Sequence, residues 1–196
     1  QIGDYTFAGC CGLTSIEIPT TVVSIGVGAF EDCKGLTFIE IPNSVVHIGD
    51  SAFYACTALD WVGMSTSVVS IGNFAFAGCI TLSVMEISSS VTNIGDYAFE
   101  ACAFTAVEIP NSIISLGKHV FSDCHNLCLV VAPPLIVQRS RIDDVTEQRL
   151  GNGELTTILL NTKPNRLRVL QLRFWHPSNF RNHLLSQVVQ IKSPAS

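Results

Sequence analysis

With 196 residues, of which 47% are hydrophobic and only 14% charged, the chain can bury a sizeable core, which argues against intrinsic disorder. No uninterrupted apolar stretch approaches the roughly 20 residues that a membrane-spanning helix needs, so we expect no transmembrane segment. The net charge of −5 is unevenly distributed: residues 1–128 contain 2 Lys and no Arg against 12 Asp and Glu (−10), and residues 129–196 contain 9 Lys and Arg against 4 Asp and Glu (+5). The acidic part would repel phosphate, which argues against nucleic acid as its ligand.

A unit of 23 residues repeats six times from the N-terminus, and the fifth copy is one residue short. An Ile-Gly pair, or Leu-Gly in the last copy, opens each unit; a Phe follows five residues after the first of the pair, and a Cys three residues after the Phe. The Phe residues, which we call the Phe ladder, are Phe7, Phe30, Phe53, Phe76, Phe99 and Phe121. The Cys residues, the Cys ladder, are Cys10, Cys33, Cys56, Cys79, Cys102 and Cys124. A period of this length predicts a solenoid, in which stacked neighbours bury the apolar face of each unit.

The second unit shows how one coil is expected to fold. Residues 36–41 alternate between apolar and polar side chains, which predicts a short strand with one buried face. Pro42 and Asn43 favour a turn, and residues 45–48 predict a second, shorter strand. We expect the Gly of the Ile-Gly pair to permit a tight bend, and the Asp or Asn that often follows it to cap a short helical turn carrying Ala-Phe. The prediction is a mainly β solenoid of about six coils with short helical turns.

Residues 2 to about 133 follow the pattern I-G-x-x-A-F-x-x-C-x-x-L-x-x-I-x-I-P-x-S-V. This pattern resembles the BspA-type leucine-rich repeat. The resemblance implies a right-handed leucine-rich-repeat solenoid over residues 1–134, with protein or matrix binding and no catalysis. Members of that family are adhesins on bacterial surfaces and are abundant in microbial eukaryotes, so the resemblance suggests a cell-surface location.

The chain has eight cysteines, the Cys ladder together with Cys11 and Cys128. Parallel side chains at the same position of successive coils rarely have the torsion that a disulfide requires. We therefore expect free, buried thiols that act as small hydrophobic groups. Such cysteines suit a reducing compartment, so an intracellular location stays open beside the cell surface.

Other candidate sites in the sequence are weak. Residues 124–128 with His119 offer Cys and His atoms to a metal, but structural zinc usually needs two well-spaced ligand pairs. Residues 116–119 resemble the end of a phosphate loop but lack its upstream Gly and the hydroxyl residue after Lys. No Ser/His/Asp or paired-carboxylate set follows from the spacing. We therefore expect no enzyme activity, metal or cofactor.

The outward face of the main strand carries the candidate binding residues. If Ile16 and Ile18 point inward, Ser15 and Glu17 point outward, and the repeat extends this register to every coil. One exposed column is acidic and contains Glu17, Glu40, Glu86 and Glu108. The other contains Phe38, Trp61 and Val84 in adjacent coils, and we expect Gly63 to leave open space beside Trp61. The hypothesis is a face that binds a basic, partly apolar protein segment; the alternative is an ordinary solvated strand face whose aromatics suit β-structure.

Residues 135–196 do not follow the repeat and form a basic tail. Residues 155–160 and 167–175 are strand-like, and residues 178–191 predict an amphipathic helix. Three interpretations stay open: a polar cap that is partly disordered, a segment whose Arg residues dock on the acidic repeats, and a helix that meets another protein or an anionic membrane. The cap is the interpretation we favour, giving a tail of α/β or partly disordered character.

Two classes of function are compatible with the sequence. The first is a non-enzymatic protein-binding module that serves adhesion or acts as a scaffold. The second is the recognition arm of a larger enzyme or regulatory protein, an option raised because the chain begins in the middle of a repeat and reads as a fragment. The identity of the partner and the oligomeric state are left open.

Overall fold

The computed structural model describes residues 1–127, 129–132, 157–161 and 167–170, and for the last two ranges the backbone alone. The repeats form the predicted β-solenoid, with one coil for each unit. None of the described residues belongs to a helix with the length and apolar character needed to traverse a bilayer. In chain order the strands are β1 (Ser24–Ile25), β2 (Phe38–Glu40), β3 (His47–Ile48), β4 (Trp61–Gly63), β5 (Ser70–Ile71), β6 (Asn93–Ile94), β7 (Ala106–Glu108), β8 (Ser115–Leu116), β9 (Leu129–Ala132), β10 (Thr157–Asn161) and β11 (Leu167–Leu170).

The strands stack in register along two sides of the solenoid. The two-residue strands at the Ile-Gly positions form one parallel sheet in the order β1-β3-β5-β6-β8. The longer main strands form a β2-β4 pair and a sheet in the order β7-β9-β10-β11. Isolated bridges extend the β2-β4 pair to Glu17 on one side and Val84 on the other. The main-strand face therefore runs unbroken through the first four coils.

The interruption between the fourth and fifth coils lies at the unit that is one residue short. Phe104 stands there in place of the usual Leu and is buried. Its ring meets those of Phe99 and Phe121 edge-on, with centroids 5.9 and 6.4 Å apart. Because Phe104 is buried at the position that Leu has in the other coils, and the Phe99 and Phe121 rings still stack at 5.6 Å, the core continues across the deletion.

The segment that carries Ala-Phe forms turns in every described coil, where short helical turns were predicted. Two residues four positions apart have a left-handed backbone, as Ser51 (φ 53°) and Ala55 (φ 55°) do in the third coil. A right-handed helix needs negative φ at each residue, so these positions prevent it. The same pair of positions is left-handed in the other coils, at Tyr5 and Gly9, Gly28 and Asp32, Phe74 and Gly78, Tyr97 and Ala101, and His119 and Asp123.

This turn segment, which we call the turn side, is hydrogen-bonded between coils in one direction. The Phe53 N–H donates to the Ala75 carbonyl at 2.7 Å, and the N–H groups of Ser51 and Ala55 likewise donate to the following coil. The first five coils each make three such bonds, and all of the donors point toward the C-terminal neighbour. On the turn side, these backbone N–H groups of each coil therefore find their acceptors in the coil that follows.

The Phe ladder forms the centre of the core. Phe30 to Phe121 are buried, and Phe7 at the first coil is partly buried against them. Successive rings lie 5.1–5.6 Å apart between centroids and within 12° of parallel. This spacing is close to the roughly 4.8 Å between adjacent strands. The stacked rings therefore follow the register of the strands.

The Cys ladder lies beside the Phe rings, and its thiols bond to backbone. Each buried Cys donates its Sγ–H to the carbonyl of the Phe in the preceding coil, at 3.0–3.3 Å. The seven described cysteines are free; Cys10 and Cys11 are exposed, and Cys33 to Cys124 are buried. Cys128 lies outside the described residues. Each buried thiol thus packs as an apolar group and satisfies its one donor.

The Gly of each Ile-Gly pair has a different role from the predicted bend. Gly26, Gly49, Gly72, Gly95 and Gly117 do not have a left-handed φ. A Cβ added at any of them would lie 2.3–2.9 Å from atoms of the preceding coil, mostly backbone. Glycine is needed here because the backbones of neighbouring coils approach too closely for any side chain.

The Asp and Asn residues after these glycines also differ from the prediction, since they cap no helix. The Asp50 carboxylate accepts a hydrogen bond from the Asn73 N–H at 2.7 Å, and the Asn73 side chain accepts from the Asp96 N–H at 2.8 Å. Asp96 in turn accepts from the Lys118 N–H at 2.7 Å. Each of these side chains therefore accepts a hydrogen bond from a backbone N–H of the following coil and links the two coils.

Candidate protein-binding face

The exposed aromatic column lies where the alternation of the main strand places it. Phe38 and Trp61 are partners in the β2-β4 register, and Trp61 is bridged to Val84 in the next coil. Their side chains are 48%, 48% and 68% exposed, whereas Ile39 and Val62 between the outward positions are buried. The structure therefore brings Phe38, Trp61 and Val84 together as one apolar stripe in contact with solvent.

The four acidic residues occupy the neighbouring outward position. Glu17 is bridged to Glu40, and Glu40 is the register partner of Gly63. All four Glu side chains are exposed, and the ion pair found within the described part of the chain joins Lys34 to Asp32 instead. Glu86 follows Gly63 by one repeat, whereas Glu108 lies beyond the interruption and pairs in register with Val131. Three carboxylates thus lie on the same continuous face as the aromatic stripe, and the fourth lies across the break.

Trp61 and Gly63 are arranged differently from the prediction, which left the space beside the indole open. A Cβ added to Gly63 would meet Trp61 Cη2 at 2.5 Å and Cζ3 at 3.1 Å. The indole therefore lies over the glycine and fills the place where another coil has a Glu side chain. Residues two apart on a strand share a face, so the adjacency could be inferred from the sequence, but the direction of the ring could not.

A groove of about 360 Å³ opens at the N-terminal end of this face. It combines two carboxylates with apolar surface, and one of its lining residues, Phe38, is the register partner of Trp61. Its lining residues are Ser15, Ile16, Glu17, Ile18, Thr20, Phe38, Glu40 and Pro42. The face thus has a concave end in addition to the aromatic stripe, and both combine apolar surface with carboxylates.

The buried thiols are poorly suited to chemistry. Burial raises the pKa of Cys56 and of Cys124 to about 12, and it raises the pKa of Cys79 and Cys102 well above the ordinary value. A thiol acts as nucleophile or metal ligand only as the thiolate. These groups are therefore inert at neutral pH.

No cluster of three His, Cys, Asp or Glu side chains that could hold a metal occurs within the described ranges. Cys124, one of the metal ligands considered from the sequence, donates to the Phe99 carbonyl at 3.1 Å. His119 packs against the Tyr97 ring, with centroids 4.9 Å apart. Cys124 and His119 thus both make contacts that hold the coils together, and the described residues do not bring them into a metal site.

Comparison with known families identifies the repeat. Six copies of a family model described as "BspA type Leucine rich repeat region" match residues 1–130. No curated protein matches the chain.

Solved leucine-rich repeat proteins share the fold. A leucine rich cell surface protein from Faecalibacterium prausnitzii is 33% identical, with a TM-score of 0.58 over 61% of this chain and 32% of that one. A leucine-rich repeat protein from Bacteroides ovatus is 26% identical, with a TM-score of 0.56 over 62% of this chain and 42% of that one. The chain thus matches less than half the length of either protein. The leucine rich repeat protein of T. pallidum, at 24% identity and a TM-score of 0.63 over 78% and 77% of the two chains, is similar in fold.

Proposed function

The chain belongs to the BspA-type leucine-rich repeat family, and from that premise we propose that its acidic and aromatic strand face binds a basic, partly apolar segment of another protein. Repeats of this family are typically protein-interaction modules without enzyme activity. The observation that carries the proposal is the exposure of Phe38, Trp61 and Val84 in three consecutive coils. Adjacent exposed aromatics are the usual anchors of a protein interface.

The charge of the face supports the chemical class of the partner. Glu17, Glu40 and Glu86 lie beside the stripe without a cation from the described residues, so a basic segment would gain electrostatic complementarity. The same carboxylates would repel phosphate, so nucleic acid does not fit this face.

The cellular role that we propose is adhesion or scaffolding at the cell surface. A similar solved structure is that of a protein named as a cell surface protein. The second candidate is the recognition arm of a larger enzyme or regulatory protein, which is compatible with the fraction of its relatives that the chain spans. Digestion of intact cells with an added protease tests the cell-surface location, because a surface protein is cleaved and an intracellular one is protected.

Trp61→Ala combined with Glu40→Ala is expected to weaken binding to the physiological partner by roughly tenfold or more, since it removes an interface anchor and a charge. Affinity capture followed by quantitative mass spectrometry identifies proteins lost from the variant, and titration of each purified candidate gives its Kd. The matched control is Tyr54→Ala with Glu31→Ala, which removes an aromatic ring and a carboxylate from the turn side. Equal Kd values for the wild-type chain and the face variant would exclude this face.

We also propose that residues 135–196 include a cap for the last coil. β10 pairs in parallel with β9, Ile158 opposite Val130, and β11 then runs antiparallel to β10. A reversal of strand direction ends a parallel stack and is consistent with a cap. The predicted helix at 178–191 lies outside the described residues, and so do the side chains of the tail arginines that were predicted to dock on the repeats.

Deletion of residues 138–196 is expected to lower Tm by about 5 °C, because it uncovers the edge of β9 and the last coil. Thermal unfolding followed by circular dichroism measures the change. Deletion of residues 172–196 is the control, since it retains β10 and β11. An unchanged Tm after the longer deletion would show that the tail is independent of the stack.

A further inference from the structure

We propose that the Trp61 indole, lying over Gly63 between Glu40 and Glu86, binds one Lys or Arg side chain of the partner. We call this place the cation position. The inference rests on the proposed function and names the group that the face recognises.

The position arises from a departure from the repeat in the third coil. Glu occupies this position of the main strand in four coils, at Glu17, Glu40, Glu86 and Glu108, whereas the third coil has Gly63 and the sixth has Val131. Glu40 is the register partner of Gly63 on one side. Trp61 is bridged to Val84, so the same register places Glu86 opposite Gly63 on the other side. Neighbouring strands are about 4.8 Å apart, so both carboxylates start one strand away from the glycine.

The glycine is what allows the indole to lie between the carboxylates. A Cβ at residue 63 would approach Trp61 Cη2 to 2.5 Å and Cζ2 to 3.2 Å. Any side chain at residue 63 would therefore push the ring away from the strand. With glycine, the column reads carboxylate, carboxylate, indole, carboxylate along the four coils of the continuous face.

This order of groups suits a cation on an aliphatic stem. Trp has the strongest cation–π attraction of the aromatic side chains, and carboxylates on both sides accept charge-assisted hydrogen bonds from an ammonium or guanidinium group. The stem of Lys or Arg would pack on the apolar stripe, where Phe38 and Val84 flank Trp61. Both parts of the proposed partner, the charge and the apolar surface, are thereby accommodated in one place.

Substitution of Gly63 by Glu distinguishes this position from attraction by charge alone. The substitution completes the acidic column and adds a negative charge, so attraction by charge alone predicts tighter binding of a basic peptide. It also displaces the indole, so the cation position predicts weaker binding, by about tenfold. The expected change therefore has opposite signs in the two cases.

The experiment uses the full chain with Trp175→Phe, which leaves Trp61 as the single tryptophan of the two. The probe is the peptide acetyl-(Thr-Lys)4-amide, with its Arg counterpart as a second arm and its Glu counterpart as the negative arm. Calorimetry at low salt measures Kd, and Trp61 fluorescence reports contact with the indole. We expect binding of the basic peptides with a change in fluorescence, and about tenfold weaker binding to Gly63→Glu.

Two further variants keep the result interpretable if Gly63→Glu is poorly folded. Glu86→Gln and Glu108→Gln each remove one exposed carboxylate, but Glu86 flanks the indole and Glu108 lies beyond the sheet interruption. We expect a loss of about tenfold for Glu86→Gln and less than about twofold for Glu108→Gln. Equal losses, or tighter binding to a folded Gly63→Glu, would overturn the cation position. So would absence of binding by the basic peptides.

Failure of this inference is separable from failure of the proposed function. If the physiological partner is lost with the Trp61 and Glu40 double variant yet is held as tightly by Gly63→Glu, the face binds protein and the cation position is wrong. If both variants hold the partner with the wild-type Kd, the face itself is wrong.

Discussion

Gly72→Ala is expected to lower the free energy of unfolding by about 3 kcal/mol, although it adds one methyl group to a residue that is already mostly covered. The added Cβ would lie 2.5 Å from the Asp50 backbone nitrogen and 2.6 Å from the Gly49 carbonyl carbon. Neither atom can move away as the end of a flexible side chain would, because both belong to the backbone of the preceding coil. The two coils must separate, and that weakens the hydrogen bonds and ring contacts between them.

Gly12→Ala is the control for this substitution. Its Cβ would have no neighbour within 4 Å, and Gly12 does not have a left-handed φ. Alanine there is expected to be neutral or to stabilise the chain by a few tenths of a kcal/mol, through the unfolded state. Urea denaturation of both variants gives the two free energies. A loss of less than about 1 kcal/mol for Gly72→Ala would mean that the coils can adjust their spacing.

Stability is expected to fall steeply as the pH rises from 9 toward 11. Burial raises the pKa of Cys56 and Cys124 from 9.0 to about 12, and raises that of Cys79 and Cys102 as well. In this window the folded chain keeps the four protons and the unfolded chain loses them, so unfolding releases protons and is favoured by alkali. Each such thiol lowers the free energy of unfolding by about 1.4 kcal/mol per pH unit, or on the order of 5 kcal/mol per unit for four. A typical domain is stable by only about 5–15 kcal/mol, so the chain should unfold within this range.

Urea titrations at several pH values measure this slope. Tyr and Lys side chains also ionise above pH 10, so the comparison that matters is between the wild-type chain and Cys56→Ala. The variant is expected to be less stable at pH 7, because it leaves a cavity, but its slope between pH 9 and 11 should be smaller by about 1.4 kcal/mol per unit. Identical slopes would show that the Cys56 thiol does not remain protonated in the fold.

The period of the repeat was sufficient to predict the solenoid, because only stacking in register can bury a residue such as Phe76 in every unit. Alternation along the main strand was likewise sufficient to place Phe38 and Trp61 on the outside. Neither signal contains the distance between coils. The role of Gly72 therefore depends on a backbone contact that the sequence could not reveal.

Local conformation was also beyond the sequence where bulky residues adopt unusual backbone angles. Phe74 and Tyr97 have left-handed φ values of 54° and 56°, although aromatic residues rarely do. The stacking of the two rings, with centroids 4.9 Å apart, and the hydrogen bonds of the turn side hold this conformation. A propensity argument sees one residue at a time and so favoured the helical turn. The direction of the Trp61 indole belongs to the same class, since it depends on the absence of a neighbouring side chain.

The one-way hydrogen bonds of the turn side impose an order on biosynthesis. N-terminal coils leave the ribosome first, and the N–H groups at Ser51, Phe53 and Ala55 acquire their protein acceptors only when the fourth coil emerges. The most recently synthesised coil therefore carries unpaired donors and one uncovered ring face, whichever coil it is. A nascent chain of this kind is most exposed to mispairing and chaperone capture at its growing end, whereas the donors of the coils already made are paired with the coils that follow them.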